Sequence, residues 1–440
     1  MAISSSSTEQ EQSASLSMNM SRSVTVVDSI EIAEITEAEG ERGVAAALTY
    51  CKTRVLIPYL RLLSVVGLRP LLSNASGQWP TMLTSCIGRF YLVLMLGVFI
   101  LGYILQYLAC FRRDRAPNLK RSENPETWEL MQCPGSLLFN FVLPSILHLM
   151  SYLYALHLYR LRDSEQLQNL MERVFVVSCS NGEGIARPQQ LARSLWFLIA
   201  LAATWLVAVT LMSGLILLHN PPTFLWLERC EPRVLLTLQT LLFVGTLAQD
   251  TFLATLVSGY CLQAQLLAAL AVALRQRLIQ HSISILDWMR EMKELGQLLS
   301  HLNRELGPAV CVVGVVCTWW AVSATGWLAG WTEEEPVAPT PGLSALPVLL
   351  WSLLTIAPFI QAAWLSGCCQ AIRSVGHEVR TRPFVYQDAP TSELDSLLAA
   401  LRQFVTTASL VVWFAGIRTR PLVHSDHPGA CCLRVRPPCE

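Results

Sequence analysis

The sequence has little charge and lacks the motifs of common enzyme classes. Charged residues make up 15% of the 440 residues, whereas an average soluble domain has about a quarter. The formal net charge is zero, so the composition does not indicate a nucleic-acid partner. Zinc-protease, serine-hydrolase and nucleotide-binding motifs are absent, and so are CxxC pairs. We therefore expect no enzymatic activity, no cofactor, no metal and no nucleic-acid partner.

The N-terminal region lacks both a cleaved signal peptide and the apolar residues of a folded core. Residues 4–7 are serines, residues 9–12 are Glu or Gln, and five glutamates follow between 31 and 41. A signal peptide needs a basic segment and an apolar segment, neither of which is present. We expect residues 1–50 to form a disordered cytosolic tail.

What the sequence does contain is six long apolar runs. About 20 apolar residues cross roughly 30 Å of hydrocarbon as a helix, and only helices or closed barrels satisfy the backbone there. The predicted fold class is an all-α polytopic membrane protein with six clear transmembrane helices surrounded by lipid. The runs are 90–110, 134–159, 194–222, 234–274, 306–332 and 336–372.

Positive charge in the loops predicts the orientation. The segments that would be cytosolic with an N-terminus inside hold 19 Lys and Arg residues, and the others hold seven. This difference favours a cytosolic N-terminus. The first outer loop opposes this orientation, because it holds five of the seven Lys and Arg residues on the outer side. Cys110, Cys133 and Cys230 would then lie near the outer face, where a disulfide is permitted but its pairing stays open.

The fourth run is too long for the membrane and leads into a heptad pattern. Its 41 residues would measure about 60 Å as a helix. We expect a cytosolic helical extension over residues 263–306, whose a/d positions require a partner helix. Two alternatives stay open, packing within one subunit and an interface between subunits. The positions are Ile285, Trp288, Met292, Leu295, Leu299, Leu302 and Leu306.

Asp250 is the single acidic residue within the predicted spans. A charge at that depth costs about 3 kcal/mol on insertion scales, so we expect it to face a cavity or a protein partner. Its role is either ligand or ion handling, or a structural hydrogen bond to a neighbouring helix. Several tryptophans of the fifth and sixth spans suggest interfacial anchoring or an aromatic ligand pocket.

Residues 58–70, PYLRLLSVVGLRP, resemble the segment that precedes the first helix of insect gustatory receptors. The cytosolic N-terminus, overlong fourth helix and Leu-rich cytosolic connection resemble the same family. So do residues 393–404 and 414–422, which are similar to parts of its seventh helix. Residues 286–291, LDWMRE, look most like the carbon-dioxide-receptor branch.

The resemblance implies a gustatory chemoreceptor at the plasma membrane, a ligand-gated nonselective cation channel built as a homo- or hetero-tetramer with related receptors. The ligand would be a small-molecule tastant or carbon dioxide. The heptad residues Ile285, Trp288, Met292, Leu295, Leu299 and Leu302 would form the oligomer interface. From their depth in the spans, the candidate ligand-binding residues are Phe141, Thr210, Gln239, Gln249, Asp250, Trp320 and Trp351.

The C-terminus departs from this family. The signature Thr-Tyr, five apolar residues and Gln-Phe, which belongs to the pore-lining helix, is absent. Residues 404–417 form an apolar stretch of 14 residues, too short to span, and a polar tail follows. We therefore divide the chain into a transmembrane domain (51–372), a C-terminal helix region that looks truncated (373–423) and an irregular tail (424–440). The alternatives are a non-conducting scaffold or partner subunit and a solute carrier.

Overall fold

The computed structural model describes residues 46, 48–69, 81–114, 137–161, 166–179, 186–219, 224, 232–280, 284–330 and 341–381, and every regular element among them is helical. Three short π-helical segments, Lys52–Leu56, Leu138–Val142 and Leu302–Leu306, lead directly into α1, α3 and α8. The α-helices are α1 (Ile57–Val65), α2 (Thr81–Leu108), α3 (Leu143–Leu161), α4 (Gln166–Cys179), α5 (Ala186–His219), α6 (Pro232–Ile279), α7 (Ile285–His301), α8 (Gly307–Leu328) and α9 (Pro341–Thr381).

Six of these helical stretches are long and apolar enough to cross a membrane. They include α2, α3, α5, α6 and α9, and the sixth consists of α7 and α8, which join through the π-helical segment between them. Many large apolar side chains on their outer faces are exposed in the isolated chain, such as Phe90, Leu218 and Ile360. The prediction of an all-α, multi-pass membrane protein with six spanning helices is confirmed at this level.

Helix α6 is the centre of the bundle. It contacts α2, α5, α8 and α9, and 78% of its most apolar window is buried in protein, against 22% to 50% for the other five spans. Its 48 residues measure about 72 Å at 1.5 Å per residue, more than twice the thickness of the hydrocarbon. The helix therefore extends beyond the lipid.

Two glycines allow α2 and α6 to touch. A Cβ atom on Gly245 would lie 2.8 Å from the Cα atom of Gly102, and one on Gly102 would lie 2.9 Å from Nε2 of Gln249. Small residues that permit close backbone approach are a common means of helix association in membranes. This contact brings the C-terminal end of α2 against the polar residues of α6.

At the other end of the bundle, α1, α4 and α7 contact the C-terminal half of α6. We call these four pieces the basal layer. The indole Nε1 of Trp288 donates to the carbonyl oxygen of Leu274 at 3.1 Å, and Arg277 pairs with Glu291 at 3.0 Å. Ser284 caps α7 by accepting a hydrogen bond from the amide of Asp287 at 3.2 Å.

The heptad residues of α7 face into this layer. Trp288, Met292, Leu295, Leu299 and Leu302 are all buried within the single chain. Of the two alternatives for the heptad pattern, this arrangement corresponds to packing inside one subunit. A contact of these side chains with a second subunit stays a prediction. The side chain of Ile285 lies outside the described residues.

Tyr59 anchors α1 to α6. Its side chain is buried, and a Cβ atom on Gly259 would lie 2.1 Å from its hydroxyl oxygen. Burial raises the pKa of Tyr59 well above its usual value, so the phenol stays neutral. Gly67, with φ of +82°, then ends the turn after α1, a conformation that glycine adopts without strain. Residues 58–69 are therefore part of the basal layer.

Several predictions fall outside the described residues. These are the disorder of almost all of the N-terminal tail, the C-terminal helix beyond Thr381, and the irregular tail at 424–440. The extension predicted over 263–306 corresponds to the end of α6, α7 and the π-helical segment that follows it.

Candidate functional site

A buried ion pair lies where the loop after α2 folds back onto α6. Nη1 of Arg113 is 2.8 Å from Oδ1 of Asp250, and the two side chains are only 6% and 2% exposed. Asp250 is therefore not a lone charge in the bundle. Because removing two charges from water carries a large penalty, such a pair persists only with further hydrogen bonds around it.

Amide side chains supply those hydrogen bonds. Nη2 of Arg113 donates to Oε1 of Gln249 and to the carbonyl oxygen of Thr246. Gln106 of α2 donates to the same Gln249 oxygen at 2.8 Å, while Nε2 of Gln249 donates to the carbonyl of Phe99 at 3.3 Å. The network thus joins α2, α6 and the loop that follows α2.

Tryptophans of α8 and α9 enclose the arginine. The indole Nε1 of Trp351 donates to the carbonyl oxygen of Arg113 at 3.2 Å, and the guanidinium carbon lies 5.2 Å from the ring centroid of Trp320. The two indoles are 4.5 Å apart between centroids. An arginine over a tryptophan face is a favourable cation–π contact. We call Arg113, Gln249, Asp250, Trp320 and Trp351 the Arg113 site.

A second ion pair closes the site toward α8. Arg112 pairs with Asp114 through both carboxylate oxygens, at 3.1 and 2.5 Å. Ser323 of α8 accepts from Arg112 at 3.0 Å and donates to Asp114. The two arginines are therefore matched by two carboxylates, and the site as a whole has no net charge.

A small polar cavity adjoins the Arg113 site. The volume of this cavity is about 30 Å³, which is room for about two water molecules. His148 is 1% exposed; its Nδ1 is hydrogen-bonded to the hydroxyl of Tyr103, and its Nε2 has no hydrogen-bond partner among the described residues. The lining includes Tyr103, Gln106, Arg113, Asn140, Phe141, His148, Gln249 and Trp320.

Five of the seven candidate ligand-binding residues lie together here. Phe141, Gln249 and Trp320 line the cavity, and Asp250 and Trp351 contact Arg113 directly. The other two, Thr210 and Gln239, do not line it. The hydroxyl of Thr210 donates to the carbonyl of Leu206 in its own helix, and Gln239 is half-buried near the start of α6.

Sequence reasoning missed Arg113 and its neighbours Gln106 and His148. Arg113 was counted as one of five positive charges in a loop, and that loop contradicted the orientation favoured by the others. The contradiction was itself a signal, since two of those charges, Arg112 and Arg113, are neutralised inside the protein. Gln106 and His148 carry no such signal, because a single polar residue in an apolar run has many possible partners.

Cys110 lies at the end of α2 beside this site and is disulfide-bonded. Its positive φ of 47° turns the chain from α2 into the loop that carries Arg112 and Arg113. The other two cysteines predicted near this face, Cys133 and Cys230, lie outside the described residues. A disulfide forms in an oxidising compartment, so its position bears on the orientation of the bundle.

Within the described ranges, no group of three or more His, Cys, Asp or Glu side chains is placed to hold a metal ion. No protein-family model matches the chain, and no curated protein matches it. The conclusion supported at this point is that the chain is a multi-pass helical membrane protein with a buried, neutral arginine–aromatic site beside a small cavity.

Proposed function

We propose that this protein is a chemoreceptor subunit of the insect gustatory-receptor type, located in the plasma membrane, which binds a small molecule at the Arg113 site. One observation carries the proposal: the hydrogen-bonded guanidinium of Arg113, the indole of Trp320 and the imidazole of His148 line one cavity, and Trp351 packs against Trp320. A few convergent polar groups in a concave site fix the orientation of a small molecule.

The orientation in this proposal has the N-terminus in the cytosol and the Arg113 site toward the outside. Two observations support it. The disulfide of Cys110 suits an oxidising exterior. Arg112 and Arg113 are paired with carboxylates, so the first outer loop has fewer free positive charges than the sequence suggests, and its conflict with the positive-inside rule weakens.

The size of the cavity limits the ligand. Space for about two waters accepts a molecule of about three heavy atoms, such as carbon dioxide, without rearrangement. A larger tastant requires Trp320 to move. Because the site has no net charge, a neutral ligand avoids leaving an uncompensated charge in the bundle.

Ion conduction in this proposal depends on tetramer formation with related subunits. The pore-helix signature is absent from this sequence, so this chain contributes ligand recognition while its partners complete the pore. The same absence favours a second candidate, a non-conducting scaffold subunit. A solute carrier has less support, because Asp250 is held by Arg113 and is not free to bind a substrate cation.

Two adjacent tryptophans provide the experiment. Trp320 lines the cavity, whereas its neighbour Trp319 is 41% exposed on the outer face of α8. We expect Trp320→Ala to raise the half-maximal concentration for ligand-evoked current at least tenfold, with Trp319→Ala close to wild type, when each is expressed with related receptor subunits. Surface biotinylation gives the amount of each variant at the membrane.

The outcomes separate the candidates. Equal shifts in both variants would contradict the assignment of the site. A chain that reaches the surface, assembles with partner receptors and leaves their ligand response unchanged would support the scaffold. Saturable uptake of a solute that disappears in Asp250→Asn would support the carrier.

A further inference from the structure

Three arginines lie on neighbouring elements toward the end of the bundle opposite the Arg113 site. Nη2 of Arg160, the last residue of the second span, donates to the carbonyl of Gly88, next to Arg89. Arg69 lines a small cavity with Tyr59, Tyr159 and Gln168, and Tyr159 precedes Arg160 in the sequence. The hydroxyl of Tyr152, on the same helix as Arg160, donates to the carbonyl of Val66 at 3.1 Å, in the turn that leads to Arg69. The hydroxyl of Tyr91 donates to the carbonyl of Val65 at 2.5 Å and holds the turn before Arg69 against α2.

These arginines have no counter-ions among the described residues. Arg112, Arg113, Arg173, Arg277 and Arg290 each pair with a carboxylate. In the part of the chain that the structure describes, Arg69, Arg89 and Arg160 pair with none, and Nε of Arg160 is buried without any hydrogen-bond partner. Glu172, near Gln168, is held by Lys52 and by Gln168 itself. Among the described residues, the positive charge of this cleft is therefore not compensated.

The cleft lies at the edge of the hydrocarbon. The first span begins at Cys86, three residues before Arg89, and the second ends at Arg160. Beside the arginines, large apolar side chains face outward: Val65, Phe90 and Leu94 are 52%, 72% and 51% exposed. An occupant with an anionic head and an apolar tail can contact both the arginines and the exposed apolar side chains. A free anion can contact only the arginines.

We propose that Arg69, Arg89 and Arg160 bind the phosphate group of an anionic phospholipid whose acyl chains lie along the outer face of α2. Guanidinium groups donate paired hydrogen bonds that match phosphate oxygens, and basic pockets between helices on the cytoplasmic side are typical sites for such lipids. The inference uses the orientation given under the proposed function, but it does not depend on chemoreceptor activity.

The test uses the purified full-length protein in a neutral detergent. Dioctanoyl phosphatidylserine, dioctanoyl phosphatidylcholine and inorganic phosphate are titrated separately, with bound lipid counted by native mass spectrometry and the Tm measured in parallel. We expect phosphatidylserine to bind and raise the Tm. Arg89→Gln, at an exposed position with no partner to lose, is expected to weaken binding about tenfold, the loss of one charge-assisted contact.

The matched control is Arg54→Gln/Arg61→Gln, which removes exposed positive charge from the same end of the protein but not from the cleft. This control is expected to bind as the wild type does, and Arg69→Gln/Arg89→Gln/Arg160→Gln is expected to lose binding. Equal binding of phosphatidylcholine would overturn the proposal, and so would inorganic phosphate binding as tightly as the lipid. An Arg89→Gln variant no weaker than the control would overturn it as well.

Discussion

The two ends of α6 are held in place by different forces. Toward its C-terminus, from Leu262 onward, the buried residues are leucines and alanines that pack against Trp288 and the other apolar side chains of α7. Toward its N-terminus the buried residues include Thr246, Gln249 and Asp250, which form hydrogen bonds and an ion pair.

The surrounding medium accounts for the difference. Helix α7 carries the half-exposed or exposed charges of Arg290, Lys293 and Glu294, as we expect of a layer in water, where burial of apolar surface is the main driving force. Between helices inside lipid that force is absent, and close packing with polar contacts takes its place. Stability is therefore concentrated in the basal layer, and specific chemistry in the Arg113 site.

The largest expected effect comes from placing charge in the basal layer. Leu295 and Leu302 are each 1% exposed, so Leu295→Asp/Leu302→Asp puts two carboxylates among apolar side chains without partners. We expect a loss of more than about 5 kcal/mol and no folded protein. Size-exclusion chromatography of the detergent-solubilised chain, with fluorescence detection, measures the folded fraction.

The control is Leu286→Asp, on the same helix but 61% exposed, which we expect to behave as the wild type. A double Asp variant that stays folded, and only shifts from a larger complex to a smaller one on a native gel, would show that these residues hold subunits together. That result would contradict the packing of α7 described above.

The next effect is on the Arg113 site itself. Arg113→Met leaves Asp250 buried without its partner, which costs about 3–5 kcal/mol, whereas Arg113→Met/Asp250→Leu removes both charges and is expected to be close to neutral. Thermal unfolding in detergent of the wild type, both single variants and the double variant gives the coupling energy of the pair. If the double variant were as unstable as the single variants, the loss of stability would not come from leaving one charge of the pair without its partner.

How far the sequence predicted the structure also differs between these two regions. The spans and the heptad residues follow from local periodicity, so six membrane helices and a buried face on α7 were readable. The partner of that face was not, because an a/d pattern is the same whether the second helix belongs to this chain or to another. The sequence positions of the apolar residues therefore do not show whether the partner helix lies in the same subunit.

The Arg113 site was only partly predictable. Depth in the spans placed Gln249, Asp250, Trp320 and Trp351 correctly at one level, but depth does not give rotation about the helix axis. That is why Thr210 and Gln239, chosen by the same criterion, lie elsewhere. Arg113 comes from a loop, where no periodicity indicates which of five neighbouring charges turns inward.

A smaller effect is expected where α2 and α6 touch. Gly245→Ala places a Cβ 2.8 Å from a backbone atom of Gly102, so the helices have to separate, and we expect a loss of about 1–3 kcal/mol. Gly97→Ala on α2 meets nothing within 4 Å and is expected to be neutral, or stabilising by up to about 1 kcal/mol. Tm values of the two variants test the contact, and equal values would contradict it.

The smallest effect tests whether the basal layer depends on any single polar contact. Trp288→Phe keeps an aromatic ring at a site that is 0% exposed but removes the donor to Leu274. We expect a loss of about 1–2 kcal/mol, from one hydrogen bond and a small volume change, measured as a drop in Tm with the protein still folded. Such a modest loss fits a layer stabilised by many apolar contacts. A loss as large as that of Arg113→Met would mean that the basal layer, like the Arg113 site, depends on one specific hydrogen bond, and the contrast between the two ends of α6 would disappear.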